Sequence, residues 1–145
     1  MSAMYSLFPL TEEMMSWLDE QSIAYPKNAE SRNPLLNEIR SALVLLGESY
    51  KVKETKSSLG ESWQAFIQDA HDPENKGWAI LNIISLTDGP NEMYFEKGWP
   101  DLIVKITVNL SQLTGPLVLM CDAGDPPLVV TSDADPVALY ESWGN

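Results

Sequence analysis

The chain has 145 residues, of which 21 are acidic and nine are basic, so its net charge at neutral pH is −12. A chain of this length with 44% apolar residues is typical of one soluble domain with its own core, and we expect a single domain over residues 1–145. The negative charge repels phosphate backbones and anionic lipids, which makes nucleic acid and membrane surfaces poor partners. It favours a basic protein as partner, although solubility alone also explains such a surface.

Cysteine usage and the N-terminal segment both bear on location. Cys121 is the single cysteine, which excludes a disulfide within the chain and a cysteine-based zinc site. The first ten residues contain no basic residue, and Pro9 with the following acidic residues interrupts their apolar character, so we expect no signal peptide. These observations favour a reducing compartment, and we expect a cytoplasmic protein.

Two helices are predicted in the first third of the chain. Thr11 is a suitable N-cap for a helix from about Glu12 to Gln21, whose first turn is acidic. Asn33-Pro34 combines a capping residue with proline at the first helical position, which predicts the start of a second helix. Its apolar residues recur at helical spacing before Gly47: Leu35, Leu36, Ile39, Leu43 and Leu46.

The middle of the chain changes to the period of two that is typical of strands. Tyr50 and Val52 alternate with Lys51 and Lys53, which predicts a half-exposed edge strand whose lysines discourage pairing between edges. The alternating stretch from Ser62 to Ala70 and the apolar stretch from Trp78 to Leu86 predict a hairpin, with the second strand central in the sheet. Residues 93–95 predict a further short strand.

The last third predicts a helix, a hairpin and a short terminal helix. Gly98-Trp99-Pro100 begins a helix that ends at Gly115-Pro116, although its β-branched residues weaken the helical pattern. Strands follow at 117–121 and 128–131, and Asp135-Pro136 starts a helix that runs to Trp143. Because strands occur as hairpins, the order predicts an α+β fold with a mostly antiparallel sheet of four to six strands and helices packed on one face.

The residues that could act as nucleophiles give little indication of catalysis. Cys121 and His71 form the one possible Cys/His pair, and the charge of Asp122 opposes ionisation of the Cys121 thiol. No nucleophile elbow and no phosphate-binding glycine loop occurs in the sequence. We therefore expect no catalytic residues, no cofactor and no enzyme. The alternative is a small enzyme of unrecognised type that uses Cys121, His71 or aspartates.

The aspartates near the C-terminus could bind a hard cation through their oxygens. Asp122, Asp125, Asp133 and Asp135 lack the spacing of an EF-hand loop and its closing glutamate. Asp122 and Asp125 are more simply turn residues, and Asp135 is more simply an N-cap. We therefore expect no metal site.

Two acidic turns are the candidate partner-binding surface. Asp69, Asp72 and Glu74 belong to one predicted hairpin, and Asp122 and Asp125 belong to the other. Trp99 is the candidate aromatic anchor, because tryptophan is common at the centres of protein interfaces. Packing over the helices is the alternative for Trp99 and Trp143, whereas Trp17, Trp63 and Trp78 lie on apolar faces and are predicted core residues.

One stretch supports this interpretation by resemblance. Gly98-Trp99-Pro100-Asp101-Leu102-Ile103-Val104-Lys105, followed by the hairpin sequence from Leu113 to Val130, resembles a helix–strand–hairpin unit of small bacterial immunity proteins from polymorphic-toxin systems. The resemblance implies a cytoplasmic antidote without enzymatic activity that binds and blocks a toxin domain. It assigns no role to individual residues. The sequence therefore favours an acidic protein-binding module, with a small enzyme or a homo-oligomeric assembly protein as alternatives.

Overall fold

The computed structural model describes residues 4–56, 59–71 and 77–143. Within them the chain forms seven strands and four helices. The strands are β1 Tyr5–Pro9, β2 Tyr50–Lys56, β3 Trp63–Asp69, β4 Trp78–Ile83, β5 Tyr94–Gly98, β6 Leu117–Cys121 and β7 Leu128–Val130. The helices are α1 Glu12–Glu20, α2 Leu36–Val44, α3 Pro100–Thr114 and α4 Pro136–Ser142.

The strands form one antiparallel sheet in the order β2-β3-β4-β5-β1-β6-β7. This arrangement confirms the predicted α+β class, the two hairpins and the central place of β4. It also confirms that the lysine-bearing strand β2 lies at an edge of the sheet. The sheet has seven strands, one more than the upper end of the predicted range.

The unpredicted strand is β1, which lies between β5 and β6. It pairs with β6 over five positions, from Tyr5 opposite Cys121 to Pro9 opposite Leu117. Tyr5 also lies opposite Phe95 of β5. The sequence pattern did not predict this strand because both of its partners lie far along the chain, so no hairpin marks it.

Helices pack on both faces of the sheet, which corrects the prediction of one covered face. Helices α2, α3 and α4 lie over the face that carries Trp63 and Phe95, both fully buried. On the other face, Leu18 of α1 and Leu10 pack against Val118 of β6. The side chains of successive strand residues point to opposite faces of the sheet. The residues before and after Val118 in β6 join the larger core, so the side chain of Val118 points to the other face.

Helix α3 shows tertiary packing overriding a weak local propensity. Its β-branched residues lower helix propensity, yet Ile103, Val104 and Ile106 are fully buried and Val108 nearly so. The helix also carries Thr107, whose hydroxyl donates to the carbonyl of Ile103 at 2.7 Å. The predicted helix is therefore confirmed. It forms despite the weak propensity because the sheet covers its apolar surface.

The predicted caps of α1 and α4 are confirmed, whereas that of α2 is wrong. Thr11 Oγ1 accepts from the Met14 amide at 3.2 Å, and Asp135 Oδ1 accepts from the Val137 amide at 3.2 Å. Helix α2 begins at Leu36, two residues after Pro34. The carbonyl of Pro34 instead accepts from Asn91 in the β4–β5 connection at 2.8 Å, so a contact with a distant loop keeps this segment out of the helix.

The other face of β3 and β4 is partly open. Phe66 is 37% exposed there, and its ring stacks on that of Trp78 with centroids 6.2 Å apart. Trp78 is half-buried and lies away from the main core, which corrects its prediction as a core residue. Trp63 of β3 lies on the face that the helices cover, and it is fully buried as predicted. The two sides of the β3–β4 hairpin therefore differ, one covered by helices and one rich in exposed aromatic surface.

Gly98 lies in close contact with β4 and α3. Its φ is +154°, and a Cβ there would lie 2.7 Å from the Cβ of Ala79 and 3.2 Å from a methyl group of Ile103. We expect Gly98→Ala to lower the free energy of unfolding by about 1–3 kcal/mol, because it combines backbone strain with overpacking. Denaturant unfolding measures this change.

Gly89→Ala is the matched control. The nearest atom to a Cβ at Gly89 is Thr87 Oγ1 at 3.9 Å, and the backbone φ there is ordinary. We expect this variant to change stability by less than about 0.5 kcal/mol, as is usual at unconstrained surface positions. Equal effects of the two substitutions would contradict the close contact between β5 and β4.

Candidate functional site

The ends of the strands bring the predicted site residues to one end of the sheet. Strands β3, β5 and β6 finish at this end, next to the starts of β1, β2, β4 and β7. Asp69 ends β3, Trp99 follows β5, and Asp122 and Asp125 follow β6. Strands β3 and β6 are four strand spacings apart, so the two acidic turns are separated by about 19 Å. Asp72 and Glu74, the other two predicted residues, lie outside the described residues.

Two further carboxylates lie at this end that the sequence patterns did not single out. Asp101 is in the first turn of α3, which starts directly after β5, and Glu141 is in α4, which packs against α3. Both side chains are exposed. We call the surface formed by Asp69, Asp101, Asp122, Asp125 and Glu141 the acidic end. The sequence indicates that Asp101 lies next to a strand end, because it follows β5 directly. The place of Glu141 depends on how α4 packs against α3, which no local pattern indicates.

A cleft of about 310 Å³ lies within the acidic end, between α3, α4 and the starts of β2 and β4. Val137 and Tyr140 of α4 line it and are 64% and 38% exposed. Near the cleft, the ammonium of Lys105 lies 5.5 Å from the ring centroid of Tyr50, one of the lining residues. The full lining is Tyr50, Gly77, Asp101, Leu102, Pro136, Val137, Tyr140 and Glu141. A lining that combines apolar side chains with the carboxylates of Asp101 and Glu141 suits a partner side chain with an aliphatic stem and a positive end.

Several of the acidic side chains also hold local structure. Asp69 accepts from the amide of His71 at 2.9 Å, and Asp101 accepts from the amide of Leu102 at 2.9 Å. Asp122 accepts from the amide of Met4 at 2.9 Å and so ties β1 to the β6–β7 turn. The turn roles expected for aspartate are therefore present, and they leave carboxylate oxygens at the surface.

The two tryptophans that the sequence left open behave differently. Trp99 is 38% exposed and precedes α3 as its N-cap residue. Trp143 packs instead: its ring is tilted against that of Tyr5 with centroids 5.8 Å apart, and its indole donates to the carbonyl of Pro126 at 2.7 Å. Packing therefore accounts for Trp143, whereas Trp99 retains an accessible aromatic surface at the acidic end.

The structure keeps the one possible Cys/His pair apart. Cys121 ends β6 and His71 follows β3, so the two residues are separated by about 19 Å of sheet. Burial raises the pKa of the Cys121 thiol, and the negative charge of Asp125 adds to this effect. The predicted opposition to ionisation is present, although it comes from Asp125 rather than from Asp122. At this distance the His71 imidazole cannot act as a base towards the Cys121 thiol.

The aspartates that could hold a cation are used in other ways. Thr131 donates to Asp133 at 2.6 Å, and Asp135 caps α4. Across residues 4–56, 59–71 and 77–143, no three potential metal-ligating side chains come close enough together to hold an ion. Over the same ranges, no helix has the length and apolar character needed to cross a membrane.

Comparison of the chain with protein-family models, curated proteins and solved structures gave no match.

Tyr5 links the start of β1 to the acidic end. Burial, with further contributions from Cys121, Asp125 and Tyr140, raises its pKa from 10.0 to about 12. The unfolded chain therefore releases this proton at lower pH than the folded chain does, so the stability that neutral Tyr5 provides is complete below pH 10 and declines from there towards pH 12. We expect the melting temperature of the native chain to fall over this window more steeply than that of Tyr5→Phe.

The native chain and the Tyr5→Phe variant share the four other tyrosines, so the difference between their melting curves over pH reports on Tyr5 alone. Calorimetry between pH 8 and pH 12 measures it. Parallel curves for the two proteins would contradict the burial of a neutral phenol at this position.

Proposed function

We propose that this chain is an acidic protein-binding module, and that it acts as an immunity protein that neutralises a toxin by binding it. The observation that carries the proposal is the acidic end. Three of its five carboxylates lie at the ends of β3 and β6, and the other two, on α3 and α4, line a partly apolar cleft. Trp99, which is 38% exposed, follows β5 at the same end of the sheet. Charged side chains around apolar and aromatic anchors are typical of surfaces that recognise proteins.

The chemistry of this surface selects a basic partner. Carboxylates attract lysine and arginine, and the charge of −12 on the whole chain adds long-range attraction that speeds encounter. The acidic end is about 19 Å wide between its two turns, which is enough to cover the mouth of a partner's active site. Inhibition would then follow from steric occlusion, without any chemical step on this chain.

A toxin antidote has to meet its target where the target would act. We infer a cytoplasmic site of action, in agreement with the single unpaired cysteine, Cys121. The direct experiment is to express the product of the neighbouring gene alone and together with this chain. We expect growth arrest in the first case, rescue in the second, and a one-to-one complex of the purified proteins. A neighbouring product that neither binds nor is neutralised would contradict the immunity function.

Charge reversal at the acidic end tests the binding surface itself. We expect Asp125→Lys combined with Glu141→Lys to weaken the complex at least about ten-fold at physiological salt, because two local attractions become repulsions. Isothermal titration calorimetry measures the dissociation constant. The two side chains are exposed, and neither caps a helix, so the double variant should remain folded.

Glu61→Lys combined with Asp88→Lys is the matched control. Both residues are exposed at the opposite end of the sheet, and the change in net charge is the same. At physiological salt, charges are screened beyond about 8 Å, so the control should weaken binding by less than about three-fold. Equal weakening by both variants would show that net charge alone attracts the partner and that the acidic end is not the contact surface.

A further inference from the structure

Strand β2 presents one side of its backbone to solvent. It pairs with β3 from Tyr50 opposite Asp69 to Lys56 opposite Trp63, and no other described strand lies beside it. Ala70 donates to the carbonyl of Ser49 at 2.7 Å, which fixes the phase of the ladder. Lys51 and Lys53 therefore bond towards β3, and the amide and carbonyl of Val52 and Glu54 point outwards. An added strand would find these groups already aligned.

An apolar groove runs beside this exposed edge. It has a volume of about 530 Å³, lies between α2 and β2, and contains Leu43 in its wall. Val44 is 77% exposed and Val52 is 39% exposed, so the groove is bordered by accessible apolar side chains. Its volume lies within the range of roughly 300–1,000 Å³ that is usual for ligand pockets. Side chains from an added strand could fill it.

An ion pair between two lining residues lies beside the groove. Glu54 binds Arg40 of α2 through both carboxylate oxygens, at 2.8–3.2 Å, and also accepts from the indole of Trp63 at 3.0 Å. These contacts hold the Arg40 and Glu54 side chains in one geometry at the rim. The floor beside them is therefore accessible without a rearrangement of charged groups.

The side chains on the opposite face of β2 determine the charge of the added strand. Lys51 and Lys53 are exposed and point to that face, and neither forms an ion pair with a described residue. Residues directly opposite on a neighbouring strand have Cβ atoms about 4.5–5.5 Å away. Aspartate or glutamate at those positions would pair with the two lysines, whereas lysine or arginine would be repelled.

A second copy of this chain is a poor occupant. A two-fold antiparallel pairing of β2 with itself, centred on Lys51, Val52 or Lys53, places lysines of the two copies opposite each other. Centring the pairing on Glu54 places two glutamates opposite each other. Like charges directly opposite are destabilising, so the strand disfavours these forms of self-pairing.

We propose that β2 binds an acidic, extended segment of a partner protein as an eighth strand of the sheet. Its apolar side chains would enter the groove beside Leu43, Val44 and Val52, and its alternate acidic side chains would lie opposite Lys51 and Lys53. This mode of recognition combines backbone hydrogen bonds with pockets for alternate side chains. The site meets the acidic end at Tyr50, which lines both the groove and the cleft, but the proposal does not depend on the function proposed above.

The first test uses two fluorescein-labelled nine-residue peptides, one alternating glutamate with valine and one alternating lysine with valine. Fluorescence anisotropy at 0.15 M salt measures their affinities for the full chain. We expect the glutamate peptide to bind at least about ten-fold more tightly, because local pairing acts within the screening length. Lys51→Glu combined with Lys53→Glu should reverse this preference. Equal affinities would overturn the proposal. So would the absence of binding by either peptide at concentrations up to about 1 mM, the weak end of the affinity range.

The second test concerns the backbone. Val52→Pro removes an outward-pointing amide and leaves the bonds to β3 in place, so the variant should fold and lose at least about ten-fold in affinity for the glutamate peptide. Val52→Thr retains the amide and the branched shape, and is expected to bind within about three-fold of the native chain. Circular dichroism and thermal melting check the folding of both variants.

A peptide variant keeps this test decisive if Val52→Pro does not fold. The glutamate peptide with alternate backbone amides methylated keeps its charges but cannot form the strand ladder, so we expect the native chain to bind it at least about ten-fold more weakly. Undiminished binding of the methylated peptide would overturn strand addition. Sedimentation of the free chain is expected to show a monomer, and a dimer that Val52→Pro dissociates would assign the edge to a second copy instead.

Discussion

Insertion of β1 between β5 and β6 is the constraint on which the rest of the molecule depends. Without it, the strands would divide into a four-stranded unit, β2 to β5, and a two-stranded hairpin, β6–β7. A two-stranded hairpin is marginally stable by itself, so the C-terminal hairpin needs the partner that β1 provides. The amide and carbonyl of Met4 both bond to Asp122, which extends the junction into the turn that follows β6.

The same strand joins the two cores. Tyr5 and Leu7 face the main core under α2, α3 and α4, while the chain leaving β1 leads through Leu10 into α1 on the other face. Leu10 and Leu18 are fully buried there. One short strand therefore fixes the relative position of the two helix layers, and the acidic end depends on it because β6 carries Asp122 and Asp125 to that end.

The sequence predicted the parts of the fold that depend on near neighbours. Thr11 and Asp135 cap helices as expected, and the alternation of Trp63 and Ile67 identified β3 because each of these signals acts over a few residues. Strand β1 was missed because its partners are remote in sequence. The start of α2 was misplaced because the carbonyl of Pro34 bonds to Asn91, a contact that no local pattern encodes.

The same distinction between local and long-range signals applies to the candidate site. Asp69, Asp122 and Asp125 were predicted because aspartate in a turn is a local signal. Their convergence with Asp101 and Glu141 could not be predicted, because it depends on which strand ends share an end of the sheet and on where α4 packs. The role of β2 as an edge was predictable from its lysines, but the groove beside it depends on the position of α2.

Net charge describes the approach of a partner, whereas local charge decides where it docks. At physiological ionic strength the field of an exposed charge fades over about 8 Å, which is less than half the width of the acidic end. The excess of acidic residues therefore attracts a basic protein towards the molecule, but Lys51 and Lys53 govern the last few ångströms at β2. The two surfaces adjoin at the start of β2, where Tyr50 lies opposite Asp69, so the nearest side chains rather than the net charge set the preference at each position.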